Sequence, residues 1–373
     1  MSNDKIYVTR PFLPPLEEFD EYLKEIWASG QLTNNGQFHQ QLEKELCAWL
    51  GVNYISLFAN GTLALITALQ ALDIKGEVVT TPYSFVATAH ALVWNGITPV
   101  FADTDPEYGN LDPRHIEAAI TDKTSAILPV HVYGHPCHHE EIEKTAKKHG
   151  LKLIYDAAHA FGVQQNGSSI LNYGDLSVLS FHATKVFTTL EGGAIVCHTP
   201  EMKQHIDNLK NFGFRNYEVI SLGINAKMNE IQAAMGLLQL KYVDASIEKR
   251  RSLSAFYFEQ LGDINGIRML SPASDVHYNY SYFPVFIDEE LYGKSRDALY
   301  EELIKHNIYG RRYFYPLISH CHPYKDLGSA QQGIMPVAEK IAEQVICLPI
   351  FHDLERDTVT NICEIIRNFR AEG

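Results

Sequence analysis

Positive charge is in short supply in this chain of 373 residues: 31 lysines and arginines stand against 45 aspartates and glutamates, a net charge of −14. That deficit argues against sequence-independent binding along nucleic-acid phosphates and leaves room only for a local site that grips a nucleotide handle on a small molecule. Cysteine is scarce too. The six (Cys47, Cys137, Cys197, Cys321, Cys347, Cys363) are widely spaced and form no CxxC pair, which fits a reduced, cytoplasmic protein rather than one held by disulfides. The longest uncharged stretch, Val78 to Ala102, is interrupted by Thr80, Thr81, Pro82, Ser84, His90 and Asn95, where a membrane-spanning helix needs about 20 apolar residues. The opening MSNDKIYVTRPFLPPLEEF lacks a basic region followed by an apolar block of about 7 to 15 residues, so no secretory leader is expected. There is no Ser/Gly-rich or Gln/Asn-rich tract and no internal repeat. With 46% hydrophobic and 20% charged residues, the chain reads as globular and soluble throughout.

From residue 54 onward short β-branched or aromatic runs alternate with helical patterns. YISLF precedes GTLALITALQAL, EVVTT precedes SFVATAHALVWNG, TPVFAD precedes PRHIEAAI, SAILPVHV precedes HHEEIEKTAKKHG, and LKLIYD follows. Strands alternating with helices of about 10 to 15 residues predict a mostly parallel central sheet with helices on both faces, an α/β fold. Ligands of such sheets sit beyond the strand C-termini. Two further strand-like runs, LSVLSFH and GAIVCHT, flank Lys185. The helical stretch Met228 to Leu261 exceeds a typical globular helix, so a break or a bridge is expected in it. The boundary placed near 240 to 250 divides the chain into a large domain, residues 1–245, and a smaller C-terminal α/β domain, residues 246–373.

Three constellations carry chemistry. ANGTLAL follows a buried-type strand: Gly61 permits close backbone approach, Thr62 offers a hydroxyl, and the helix that starts there directs free N–H groups outward, as a phosphate site does. A plain turn with Thr62 as cap is the alternative. In LKLIYDAAHAFG, Asp156 ends an apolar strand at the ligand-binding edge, with His159 three residues on; a carboxylate there is costly unless something positive meets it, or unless it caps a helix. In SFHATKVFTTLEGG, Lys185 is set among Phe181, Val186 and Phe187, with Ser180 and His182 before it and Gly192–Gly193 after. A phosphate cradle, a carboxylate and an apolar-flanked lysine are the three anchors that pyridoxal 5'-phosphate needs. Tyr83 and Phe85, in TPYSFVATAH, offer an apolar ring for the cofactor's face, with Phe85 the favoured one. HVYGHPCHH has metal-ligand residue types, but adjacent residues do not easily converge on one ion, and it reads as a polar turn before a helix with no metal. Arg311, Arg312, Tyr313, Phe314 and Tyr315 form an aromatic, basic patch suited either to a substrate (Arg312, Tyr313, Tyr315) or to packing between domains.

These residues, together with LTNNGQFHQQLEKEL, YDAAHAFG and GINAKMNEIQAAMGLLQL, make the chain similar to the DegT/StrS-type sugar aminotransferases, a fold type I group of pyridoxal-phosphate enzymes that act on nucleotide-linked keto sugars. The resemblance runs from about residue 30 to 240 and, through RRYFYPL and CLPIF, nearly to the end. It implies Lys185 as the Schiff-base lysine, Asp156 as partner of the pyridine nitrogen, and Gly61, Thr62 and Ser180 as phosphate contacts. It also implies Phe85 stacked on the ring, His159 near the opposite face, and Asn225 reaching the phosphate of a neighbouring subunit, hence a homodimer with shared active sites. L-Glutamate as donor and pyridoxamine phosphate as the intermediate cofactor form come from the resemblance alone. Many relatives have Ser where this chain has Asn60 and Arg where it has Lys227; some carry His at the lysine position and dehydrate, whereas Lys185 favours transamination. VTRPFLPPLEEF, ISLFANGTLAL and SFHATKVF are most similar to members that aminate C4 of dTDP-4-dehydro-6-deoxy-D-glucose for surface polysaccharide (O-antigen) synthesis. C3-aminating members share SFHATKVF and remain an alternative, as does a non-catalytic regulator with the same fold.

Overall fold

The computed structural model describes residues 5–371. The apolar runs after residue 54 become seven strands of one sheet: β1 (Tyr54–Phe58), β2 (Glu77–Thr80), β3 (Thr98–Phe101), β4 (Thr124–Leu128), β5 (Lys152–Asp156), β6 (Leu176–Ser180) and β7 (Gly193–Cys197). Their order is β1-β7-β6-β5-β4-β2-β3. From β6 through β3 neighbours pair in parallel, whereas β7 runs antiparallel to both β6 and β1. Strands buried on both faces need apolar side chains at every position, and β7 shows the division. Ala194 and Val196 point into a core built with Leu42, Leu46 and Leu237, while Ile195 and Cys197 join Ala64, Leu65 and Ala68 on the other face.

The helical stretch Met228–Leu261 is broken at Lys241 and Tyr242 into Glu230–Leu240 and Val243–Leu261. Asn229 starts the first of these with a capping box: its side chain accepts from the Gln232 amide, and Gln232 accepts from the Asn229 amide. Beyond Leu261 the strands β8 (Ile267–Met269), β9 (Phe283–Ile287) and β10 (Val345–Leu348) form an antiparallel sheet in that order. Helices Arg296–Lys305 and Arg356–Ala371 cover it, with Leu299, Leu303, Val359 and Ile362 packed on Val285 and Ile346. The strand Ile6–Tyr7, the first among the described residues, lies on this part, paired in parallel with Ile308–Tyr309. No helix among the described residues is long and apolar enough to cross a membrane.

HVYGHPCHH folds as packing. His131, His135 and His139 are all buried. His131 Nδ1 accepts from the Cys137 amide at 3.2 Å and its ring stacks on Tyr155, centroids 4.8 Å apart, while His139 lies on Tyr173 at 3.9 Å. Among the described residues no three His, Cys, Asp or Glu side chains are grouped to hold a metal ion. Burial lowers the pKa of His135 and His139 to about 3 and that of His39, on the helix Gln37–Leu50, to about 4, from an ordinary 6.5. Above pH 6.5 these imidazoles are neutral in folded and unfolded chain alike. Below it the unfolded chain binds protons that the folded one refuses, so stability falls with falling pH until the folded values are reached. Each such histidine weakens the fold by up to about 1.4 kcal/mol per pH unit in that window. The melting temperature is therefore expected to drop steeply between pH 6.5 and 4; a flat profile by differential scanning calorimetry would contradict the buried, neutral assignment.

Candidate active site

Parallel strands β5 and β6 end side by side, and their last residues, Asp156 and Ser180, open onto one cleft of about 660 Å³. Gly61, Thr62, Phe85, His159, His182, Lys185 and Tyr313 also line it. Of the predicted site residues, only Arg312, Tyr315 and Asn225 lie outside the lining.

One corner is built by the turn after β1. Asn60 Oδ1 accepts from the Leu63 amide at 2.9 Å and so caps the helix Gly61–Ala71. Thr62, which the sequence left open as a cap, is not needed for that and contributes to the cleft instead. A Cβ added at Gly61 would meet Ser180 Cβ at 3.0 Å and Ser180 Oγ at 3.2 Å, and one at Gly193 would stand 2.7 Å from Gly61 Cα. Only glycine lets the helix start, β6 and β7 meet so closely. A helix N-terminus and the hydroxyls of Thr62 and Ser180 thus share a corner suited to an anion.

Lys185 sits in the loop joining antiparallel neighbours β6 and β7. Its apolar flank is explained by anchoring. Phe187 stacks on Phe161 (4.4 Å, 3°) and meets Phe181 edge-on (5.0 Å). The loop base is closed by Phe181 N donating to Gly192 O at 2.8 Å and by Thr189 N donating to Phe181 O at 3.0 Å. The amine itself lies over the Tyr282 ring, 5.8 Å from its centroid. Burial lowers its pKa from 10.5 to about 8, against the upward pull of the Asp156 carboxylate and Tyr313.

Asp156 is buried at the foot of the cleft. Oδ2 accepts from Thr88 Oγ1 at 2.8 Å and Oδ1 from the Ala158 amide at 3.1 Å, so both bonds come from neutral donors. Desolvation raises its pKa, and the two hydrogen bonds and Lys185 oppose that. His159 is held neutral by burial, with Lys185 acting in the same direction. Its Nδ1 accepts from the Tyr133 amide at 3.2 Å, which places the proton on Nε2, and its ring lies parallel to Phe314, 5.8 Å away. Of the two aromatics in TPYSFVATAH, Tyr83 is fully buried and hydrogen-bonded to Tyr133 OH and, at 3.1 Å, to the Tyr313 carbonyl. Phe85 lines the cleft and is 55% exposed. His182 stands at the rim between Thr184 (2.8 Å) and Glu191 (3.5 Å).

The aromatic, basic patch divides. Arg311 pairs with Cys347 through both backbone bonds (3.1 and 2.7 Å) and, with Tyr313 and Phe314, enters the cleft. Arg312 points elsewhere: it forms an ion pair with Asp297 at 2.9 Å and lies over Tyr300 and Tyr315, while Tyr315 also packs under Arg296. Arg312 and Tyr315, expected as substrate contacts, thus lie outside the cleft lining, held instead by Asp297, Tyr300 and Arg296 where the segment turns after Arg311. Asn225 is exposed, its Oδ1 accepting from Lys227 Nζ at 2.8 Å, beside Asn211. Sequence reasoning missed Ser84, Thr88 and Tyr282. The first two had a faint signal, hydroxyls four apart in SFVAT where a helix begins.

The DegT/DnrJ/EryC1/StrS aminotransferase family model matches residues 16–367. The chain belongs to this family. It is 53% identical over 366 residues to a dTDP-4-amino-4,6-dideoxy-D-glucose transaminase of Shigella dysenteriae, covering 98% of this chain and 99% of that one. It is 51% identical over 369 residues to a protein of the same name from Escherichia coli, with 98% and 99% covered. Among solved structures it resembles DesI, crystallised in the presence of its TDP-sugar product, with a TM-score of 0.94 and 35% identity over 99% of this chain and 93% of that one. The likeness takes in the β8-β9-β10 part as well as the central sheet, so the fold is that of the sugar aminotransferases throughout.

Proposed function

We propose that this aminotransferase moves the amino group of L-glutamate to C4 of dTDP-4-dehydro-6-deoxy-D-glucose, with pyridoxal 5'-phosphate as cofactor and pyridoxamine phosphate as its amino-carrying form. The observation that carries the reading is the meeting of an amine of lowered pKa, a buried carboxylate and an anion corner in one cleft. The sugar and the position of amination rest on the two transaminases above half identity.

Bound in this cleft, pyridoxal phosphate supplies an electron sink through which an amino group passes from an amino acid to a ketone. Each anchor has a counterpart. Gly61, Thr62 and Ser180 hold the phosphate. Asp156, whose hydrogen bonds are both to neutral donors, receives the protonated ring nitrogen. Phe85 and neutral His159, both in the lining, would flank the ring. Lys185 would hold the cofactor and would carry a proton to and from the reacting carbon; an amine with a pKa near 8 is suited to both tasks. From the C-terminal part Tyr282, Arg311, Tyr313 and Phe314 line the cleft, and Arg311 and Tyr313 would meet the substrate. Asn225 serves the neighbouring subunit. Beside it the hairpin Phe214–Arg215 and Glu218–Val219 exposes Tyr217, and the segment after it exposes Leu222, as a face that a second copy would cover. A regulator without catalysis would have no use for the Lys185 amine.

The test presents the enzyme, loaded with cofactor and L-glutamate, separately with the 4-keto and 3-keto dTDP-6-deoxyhexoses. The expected product carries nitrogen at C4, identified by mass and NMR. Displacing the reacting carbon by about 1 Å can cost ~100-fold in rate, so equal or better turnover of the 3-keto isomer would overturn the position. It would leave the transaminase reading standing. Protein that neither takes up the cofactor nor turns over either sugar would favour the regulator.

A further inference from the structure

Asp156 is held by a side chain that the cofactor anchors do not include. Thr88, the second residue of the helix Ala87–Trp94, donates its hydroxyl to Asp156 Oδ2 at 2.8 Å, and its own oxygen stands 2.7 Å from Ser84 Oγ. Both hydroxyls are buried and both line the cleft. The direction of this chain follows from proton count. An ionised carboxylate only accepts, so the Thr88 hydroxyl hydrogen points at Asp156; Thr88 has no second hydrogen, so Ser84 must donate to Thr88. An ionised Asp156 enforces the order Ser84 to Thr88 to Asp156, whereas a proton on Oδ2 would turn both hydroxyls about.

We propose that Thr88, oriented by Ser84, is a positioning residue that keeps Asp156 ionised and fixes which of its lone pairs remain for a cationic ring nitrogen in the cleft. The proposal rests on the pyridoxal-phosphate reading above. Three observations support it. The Ala158 amide holds the other oxygen at 3.1 Å, so the carboxylate plane is fixed from two sides. Threonine is stiff at χ1, which holds the hydroxyl in place better than serine would. Burial pushes the Asp156 carboxyl towards its neutral form, and the Thr88 hydroxyl is the foremost influence opposing it.

The test compares Thr88→Val, close in shape but without the hydroxyl, with Thr88→Ser, which keeps it, and Ser84→Ala, which removes only the orienting donor. A hydrogen bond to a charged group corresponds to roughly 10- to 100-fold. Thr88→Val is expected to weaken pyridoxal phosphate binding to the apoprotein about 10-fold by absorbance titration. It should slow the single-turnover half-reaction with glutamate by roughly 10- to 100-fold, with KM for the sugar nucleotide unmoved. Thr88→Ser restores most of both, and Ser84→Ala falls between. The deciding arm is a double-mutant cycle: on Asp156→Asn, Thr88→Val should change either readout by less than about 2-fold, since its effect passes through the carboxylate. A full Thr88→Val loss persisting on Asp156→Asn, or wild-type behaviour of Thr88→Val alone, overturns the proposal. Should Thr88→Val fail to fold, Ser84→Ala on the two backgrounds decides the same question. Wild-type protein that binds no pyridoxal phosphate would instead bring down the cofactor reading on which the proposal rests.

Discussion

Lys185→Ala is expected to lower turnover by at least roughly 10³-fold, since general acid–base catalysis alone contributes ~10²- to 10⁴-fold and the covalent hold is lost with it. The structure predicts that little else changes. The loop carrying Lys185 is fixed by Phe181 and Phe187 packed on Phe161 and by the backbone bonds at its base, none of which involve the lysine side chain. Stability should not fall, since the substitution removes an amine whose charge burial disfavours. Pyridoxamine phosphate should still bind, because Gly61, Thr62, Ser180 and Asp156 remain. In the wild type, covalent capture of pyridoxal phosphate needs the neutral amine, so its rate should climb with pH and level off above about 8. The same variant probes the proposed subunit arrangement: mixed with an inactive Asn225→Ala, a hybrid dimer sharing its sites would have one site with both native residues, and some activity should return. Retention of more than a few per cent of wild-type rate would remove Lys185 from its role. No recovery despite proven subunit exchange would confine the site to one chain.

How much of this could be read from sequence depended on whether a property is carried along the chain or across it. The strands Tyr54–Phe58 to Lys152–Asp156 and the helices between them were legible because parallel strands and their covering helices impose periodicities of their own. Lys185 and Asp156 were legible because a charge among apolar neighbours is conspicuous. That Asn60 and not Thr62 caps the helix was not legible, because both lie close by and the chain itself does not say which side chain turns inward. Arg311 and Arg312 show the harder limit. They are adjacent and chemically alike, and which enters the cleft is set by the backbone pairing of Arg311 with Cys347, far along the chain. Thr88 and Asp156 are 68 residues apart, and Tyr282 reaches the lysine from the residue just before β9. Contacts of that kind depend on how the C-terminal part meets the sheet, which no local pattern records.

Asp156→Asn is expected to leave a folded protein that binds cofactor and reacts roughly 10²- to 10⁴-fold more slowly. The argument that it folds comes from the hydroxyl chain. An asparagine can keep its oxygen towards the Ala158 amide and turn its NH₂ to Thr88; Thr88 then accepts, and donates onward to Ser84 in the reverse direction. The bonds to the Ala158 amide and to Thr88 are then both kept, and only the Ser84 hydroxyl hydrogen must turn to a new acceptor. A desolvated charge has also been removed from the foot of the cleft, so the apoprotein should melt no lower than wild type at neutral pH. What the amide cannot do is favour a proton on the ring nitrogen, since it offers a partial dipole where the carboxylate offered a full charge. The loss should therefore fall on the half-reaction with glutamate, measured in a single turnover, and not on the KM for the sugar nucleotide, for which Arg311 and Tyr313 are the proposed contacts. A near-normal half-reaction with an unchanged melting temperature would show that Asp156 packs the cleft without serving its chemistry.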